Sequence, residues 1–187
     1  DFSYTASDGM DSSNAAKVTV NVAPVNDAPV VDTTTPILDI VTANNWSDNV
    51  SLLAGDAAGG FGAANIFATG TSHPYSTALG DVNGDGTLDI VVAYSSDRNV
   101  GVLTGDGHGG FAGPVTFDSG GYSPTSVVLS DVNGDGKLDI VTANSGNRSV
   151  GVLLGDGKGG FASALTFDTG GNSPSALALG DVNADGF

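Results

Sequence analysis

The phrase "DVNGDGTLDI" starts at Asp81, returns as "DVNGDGKLDI" at Asp131 and starts again as "DVNADGF" at Asp181, fifty residues apart each time. The interval governs far more than this phrase, because residues 37–86, 87–136 and 137–186 align without an insertion. "LDIVTANN" from Leu38 answers "LDIVVAYS" from Leu88 and "LDIVTANS" from Leu138. "SLLAGDAAGGF" answers "GVLTGDGHGGF" and "GVLLGDGKGGF", and Pro74, Pro124 and Pro174 stand in register. A period of this length confines a chain to solenoids, propellers or arrays, because one unit cannot bury its apolar face alone.

Each unit carries four apolar stretches. In the third they are Leu138–Ala143, Ser149–Leu154, Ala164–Phe167 and Ala176–Leu179. The breaks "NSGN", "GDGKGG" and "DTGGNSP" hold the Gly, Asn, Asp and Pro that tight connections require. All 21 acidic residues are aspartate, and neither glutamate nor glutamine occurs. Exposed helix is usually built with those two residues, whereas Asp, Asn, Gly, Ser and Thr favour turns. The expected fold is therefore all-β, with four-stranded antiparallel blades of the β-propeller type. A ring normally closes with about 4–8 blades. Three repeats make an incomplete ring, to be finished by further repeats or by other copies of the chain.

The acidic phrase reads as a cation loop. In the second complete copy, Asp131, Asn133, Asp135, Lys137 and Asp139 take positions 1, 3, 5, 7 and 9. Side-chain oxygens stand at 1, 3, 5 and 9, a backbone carbonyl is available at 7, and Gly136 permits the bend. This resembles the first half of an EF-hand loop, and hard oxygen donors favour Ca²⁺. Three carboxylates so close repel by about 4 kcal/mol per pair at 4 Å and an effective dielectric of about 20. A bound dication would remove that cost. The first unit lacks the pattern, with Val31, Thr33 and Thr35 in register and only Asp39 kept. The third copy has Asp181, Asn183 and Asp185, but Ala184 replaces the glycine at position 4.

"DVNGDGKLDIVTANS…VGVLLGDGKGGF" resembles the FG-GAP/VCBS-type repeats of bacterial surface proteins, relatives of the integrin α-chain propeller, and "GGFAGP" around Phe111 is close to the motif that names them. The resemblance covers residues 37–187. It implies one blade per repeat and calcium held by Asp81, Asn83, Asp85 and Asp89, and by Asp131, Asn133, Asp135 and Asp139. Thr87 and Lys137 would give backbone carbonyls. It dictates no activity.

Residues 1–29 differ in character from residues 30–187. Phe2 and Tyr4 alternate with polar residues, as do Val18, Val20 and Val22, which predicts two half-buried strands. The segment looks like the last strands of a cadherin-like, immunoglobulin-type module, and "VNDAP" resembles the calcium-binding linker of such modules, with Asn26 and Asp27 as candidates. The chain reads as a piece of something longer.

A net charge of −16 argues against nucleic acid and anionic membranes as partners. No run of about 20 apolar residues is present to span a membrane. No cysteine occurs, so disulfides play no part. His73 and His108 do not recur in the repeat, and no serine sits in a nucleophile elbow. Asp56, Asp106 and Asp156 read as turn residues, and Trp46 as an exposed loop aromatic. The expected protein is a non-enzymatic, extracellular or cell-surface, calcium-binding structural or adhesion protein. Its expected partners are other copies or further repeats, glycans and cell-surface proteins. The alternatives are a lectin, the scaffold of a secreted polysaccharide-active enzyme, and a filament subunit assembled by strand exchange through residues 1–29.

Overall fold

The computed structural model of the chain describes residues 2–4, 16–18 and 37–183. The chain divides into two compact units, Asp1–Pro36 and Ile37–Phe187. In the first, β1 (Phe2–Tyr4) pairs antiparallel with β2 (Ala16–Val18), Ser3 facing Lys17. Asn26, Asp27, Val31, Thr33 and Thr35 lie outside the described residues, as does Asp185.

The second unit is all-β among its described residues. One sheet has the order β3-β4-β5 (Ile40–Asn44, Asn49–Leu53, Asn65–Ala68). The next is β6-β7-β8-β9 (Pro74–Gly80, Asp89–Tyr94, Asn99–Leu103, Val115–Asp118). The third is β10-β11-β12-β13 (Pro124–Ser130, Asp139–Asn144, Ser149–Leu153, Leu165–Asp168). Every pairing is antiparallel, and consecutive strands are neighbours, which makes these sheets propeller-type blades.

The blades are offset by one strand from the aligned units. The last apolar stretch of a unit is the first strand of the following blade, so β6 pairs with β7 across the acidic loop. Ala176–Leu179, expected as a strand, forms none among the described residues. It stands in register with β6 and β10, but nothing described takes the place that β7 and β11 take beside them.

The middle blade buries both faces against its neighbours. Successive residues of β7 point to opposite sides, as strand geometry demands. Ile90, Val92 and Tyr94 join Val50 and Leu103 in one core, and Phe67 and Phe111 pack against it. Val91 and Ala93 join Val100, Val102, Val127, Ile140 and Leu153 in the other. Phe67 meets Phe111 edge-on at 5.2 Å, and Phe117 meets Phe161 at 5.1 Å, so each blade contributes one ring to its neighbour. Sheets this close leave no space for side chains at some positions. A methyl group added to Gly151 would overlap the Ser119 carbonyl oxygen. Gly151→Ala should therefore cost about 1–3 kcal/mol of stability by overpacking; a denaturant midpoint unchanged from the parent would contradict this.

Candidate metal loops

Both complete acidic loops fold alike. Gly84 and Gly86 adopt φ of 76° and 85°, and Gly134 and Gly136 adopt 77° and 82°. These left-handed conformations turn the loop amides inward. Asp81 Oδ1 accepts the Gly84 N–H at 2.7 Å, and its Oδ2 accepts the Gly86 N–H at 2.8 Å. Asn83 Oδ1 accepts the Asp85 N–H at 2.9 Å. Asp85 Oδ1 accepts from both the amide and the hydroxyl of Thr87, at 2.8 and 2.6 Å. In the second loop Asp131 accepts from Gly134 at 2.7 Å and from Gly136 at 2.7 Å, and Asp135 accepts from Lys137 N–H at 3.0 Å. The Lys137 ammonium also lies 3.3 Å from Asp135 Oδ2, so this side chain neutralises part of the loop.

The carboxylates of each loop repel one another. The backbone offsets part of this repulsion, because the N–H groups solvate the anions. The Thr87 hydroxyl first, then its N–H and the Asn83 side chain, hold the Asp85 carboxyl below its ordinary pKa. For Asp131 the Gly136 N–H does most, helped by Gly134, Asp135 and Asn133 and opposed by partial desolvation.

Asp89 and Asp139 brace the blade, a role that the loop pattern conceals. Asp89 is fully buried. Its Oδ2 accepts the Val82 N–H at 3.0 Å and its Oδ1 the Gly105 N–H at 2.9 Å, tying the acidic loop to the next turn of the same blade. Asp139 does the same with Val132 and Gly155, at 3.0 and 2.8 Å. The signal was present in the first unit, where Asp39 survives without its loop and still accepts the Gly55 N–H at 2.8 Å.

Asp106 and Asp156 close their hairpin turns. Asp106 Oδ1 accepts from His108 and Gly110 at 2.8 and 2.9 Å, and Asp156 Oδ1 from Lys158 and Gly160 at 2.7 and 2.9 Å. The His108 N–H and then the Gly110 N–H lower the Asp106 pKa; Lys158 and then Gly160 lower that of Asp156. A carboxyl depressed on folding stabilises the fold above its unfolded pKa of about 3.9, and that contribution is lost as pH falls through the folded value. The net charge of −16 acts in the opposite sense, because acid relieves self-repulsion. High salt screens that long-range effect. Melting at high salt should hold a plateau down to about pH 5 and decline below about pH 4. A transition that climbs steadily in acid would contradict the amide-solvated carboxylates.

All donors in the two loops are oxygens, and Asp85, Asp131 and Asp135 face solvent. That donor set suits Ca²⁺. Among the described residues, no group of three or more His, Cys, Asp or Glu side chains is gathered to hold a metal ion. The aspartates of each loop point toward its amides rather than toward one shared point. In the third copy, Asp181 and Asn183 are described and exposed.

Elsewhere, a cleft of about 530 Å³ between the second and third blades is lined by Arg98, Phe117, Asp118, Phe161 and Ser163 among others. Asp118 is its one carboxylate and lies 3.7 Å from the Arg98 guanidinium. His73, Ser123 and Ser173 share a backbone position with φ of 60°, 52° and 50°, so the histidine occupies a turn that serine also fills.

A family model described as "FG-GAP-like repeat" matches the chain three times, over residues 36–92, 81–142 and 131–187. The second and third matches begin at Asp81 and Asp131, the first residues of the two complete loops. None of the curated proteins searched matches the chain.

Proposed function

Because the chain belongs to the FG-GAP-like repeat family, we propose that it is a calcium-stiffened, extracellular scaffold with a structural or adhesive role. Repeats of this family are generally structural or adhesive and occur typically in extracellular or cell-surface proteins, which supports the reading. The observation that carries it is the pair of all-oxygen loops. Asp81, Asn83, Asp85 and Asp89, with the Thr87 carbonyl, would hold one Ca²⁺. Asp131, Asn133, Asp135 and Asp139, with the Lys137 carbonyl, would hold a second. The ion supplies positive charge against carboxylates that the amides only partly solvate. The first loop is the stronger site, since Lys137 already occupies part of the second. On this reading Asp181, Asn183 and Asp185 begin a third site, and residues 1–29 end a cadherin-like module.

A melt in calcium, in magnesium and in chelator tests the proposal. The transition should rise most in calcium, whose larger coordination sphere suits a flexible loop. A transition indifferent to all three conditions removes it.

One observation favours a lectin as the second reading. Trp46 is 90 % exposed and meets His73 edge-on at 5.9 Å, an aromatic face open to a sugar ring. Glycoside cleavage normally needs two carboxylates across a cleft, and the cleft beside Arg98 has one. Glycan-array binding lost in Trp46→Ala, at unchanged stability, would mark the lectin.

A further inference from the structure

The cleft between the second and third blades has two kinds of wall, both formed by described residues of the two blades. The apolar part recurs at the junction of the first and second blades, where Phe67 and Phe111 meet as Phe117 and Phe161 do. Its glycine recurs as well, Gly70 for Gly120. The polar part does not recur. Asp48 stands where the second junction has Arg98, Ala68 where it has Asp118, Gly113 where it has Ser163 and Asn99 where it has Ser149. Two blades therefore pack in this way without those four side chains, and packing does not account for them.

The four are placed along one groove. Arg98, Asp118 and Ser163 line the cleft of about 530 Å³. Past Gly120 and Thr166 it continues into a hollow of about 360 Å³, lined by Asn147, Ser149 and Asp168. The Arg98 guanidinium lies 4.6 Å from the centre of the Tyr122 ring, which braces one face of it, and 3.7 Å from Asp118. Asp118 is held in turn, since its Oδ1 accepts the Gly120 N–H at 2.8 Å. Two buried polar atoms of the groove's residues, Arg98 Nε and the Ser149 hydroxyl, have no hydrogen-bond partner among the described residues. Buried polar atoms are ordinarily paired. Gly120 sets the width of the waist, because a methyl group there would overlap Thr166 Cγ2 and Ala164 Cβ.

We infer that this groove binds a neutral sugar ring. Its size falls in the range of about 300–1,000 Å³ usual for small-molecule sites. Phe117 and Phe161 give the apolar wall that the C–H face of a pyranose covers. Arg98 donates, the carboxylate of Asp118 accepts, and the hydroxyls of Ser163, Ser149 and Thr166 do either. That set matches a guest whose own hydroxyls both donate and accept. A guest oxygen against Arg98 Nε or the Ser149 hydroxyl supplies the bond that each lacks. Acidic sugars are selected against, because Asp118 and Asp168 outnumber Arg98 and the chain carries a net charge of −16. The site goes beyond the scaffold reading, involves no calcium and does not include Trp46.

The test uses the 187-residue chain in chelator, so that its failure leaves the calcium reading untouched. The probes are the methyl glycosides of glucose, galactose and mannose, with the methyl glucuronide as the acidic comparison, and NMR follows the amide shifts of the labelled chain. At least one neutral glycoside should bind saturably and move the Gly120 and Ser163 amides, and the glucuronide should bind more weakly. Arg98→Asp with Asp118→Ala gives the second junction the residues of the first. It should weaken binding at least about tenfold, as loss of charge-assisted hydrogen bonds does. A melt checks that this variant is folded, and if it is not, the shift map of the parent decides alone. Trp46→Ala should bind as the parent does. No saturable binding by any neutral glycoside, shifts centred on Trp46 and His73, a tighter glucuronide, or a folded double variant that binds unchanged would each overturn the inference.

Discussion

Asp89→Ala, melted in chelator, should lose about 2–5 kcal/mol of stability. The substitution strands the Val82 and Gly105 N–H groups, each now satisfied by one oxygen of a fully buried carboxylate. An unsatisfied buried donor costs about 1–3 kcal/mol. Asp39 gives the scale a control. Among the described residues it accepts one bond, from Gly55, and it is exposed. Asp39→Ala should therefore cost less than about 1 kcal/mol. Equal and small losses at both positions would mean that Asp89 acts only toward a metal and braces nothing.

The second large effect separates the loop carboxylates from the brace. Asp85→Asn combined with Asp135→Asn removes two charges from exposed positions and keeps an oxygen acceptor at each. In chelator the double variant should melt close to the parent, as exposed substitutions commonly do. In calcium it should fail to follow the parent upward. A ligand at a hundred times its dissociation constant adds about 2.7 kcal/mol per site. Two sites would raise the parent's transition by about 10–20 °C, taking about 2–4 °C per kcal/mol for a chain of this size. A double variant that gains as much as the parent would place the ion elsewhere or nowhere.

The strands were legible because the repeat supplied three aligned copies of each apolar run. The "GDG" turns were legible because Asp and Gly have few other uses at that spacing. The phase of the blade was not, since a repeat can be cut at any column. Which strand opens a sheet depends on pairing across the acidic loop, Leu79 to Ile90, and no local pattern encodes it. The Phe67–Phe111 and Phe117–Phe161 contacts join residues far apart in sequence, although both phenylalanine columns recur. The candidate loops were located by their carboxylates alone. What those carboxylates accept depends on amide directions, set by left-handed Gly84, Gly86, Gly134 and Gly136. The brace at Asp89 could have been found from Asp39, which persists where the rest of its loop is gone.

The central claim is that the two complete acidic loops are calcium sites. Calorimetric titration of the chelator-stripped chain with Ca²⁺ tests it most directly. The account predicts about two ions per chain, with one lost when Asp85 alone becomes asparagine and the weaker one lost when Asp135 does. A titration showing no saturable binding, in a chain whose strand signature in circular dichroism is intact, would contradict it.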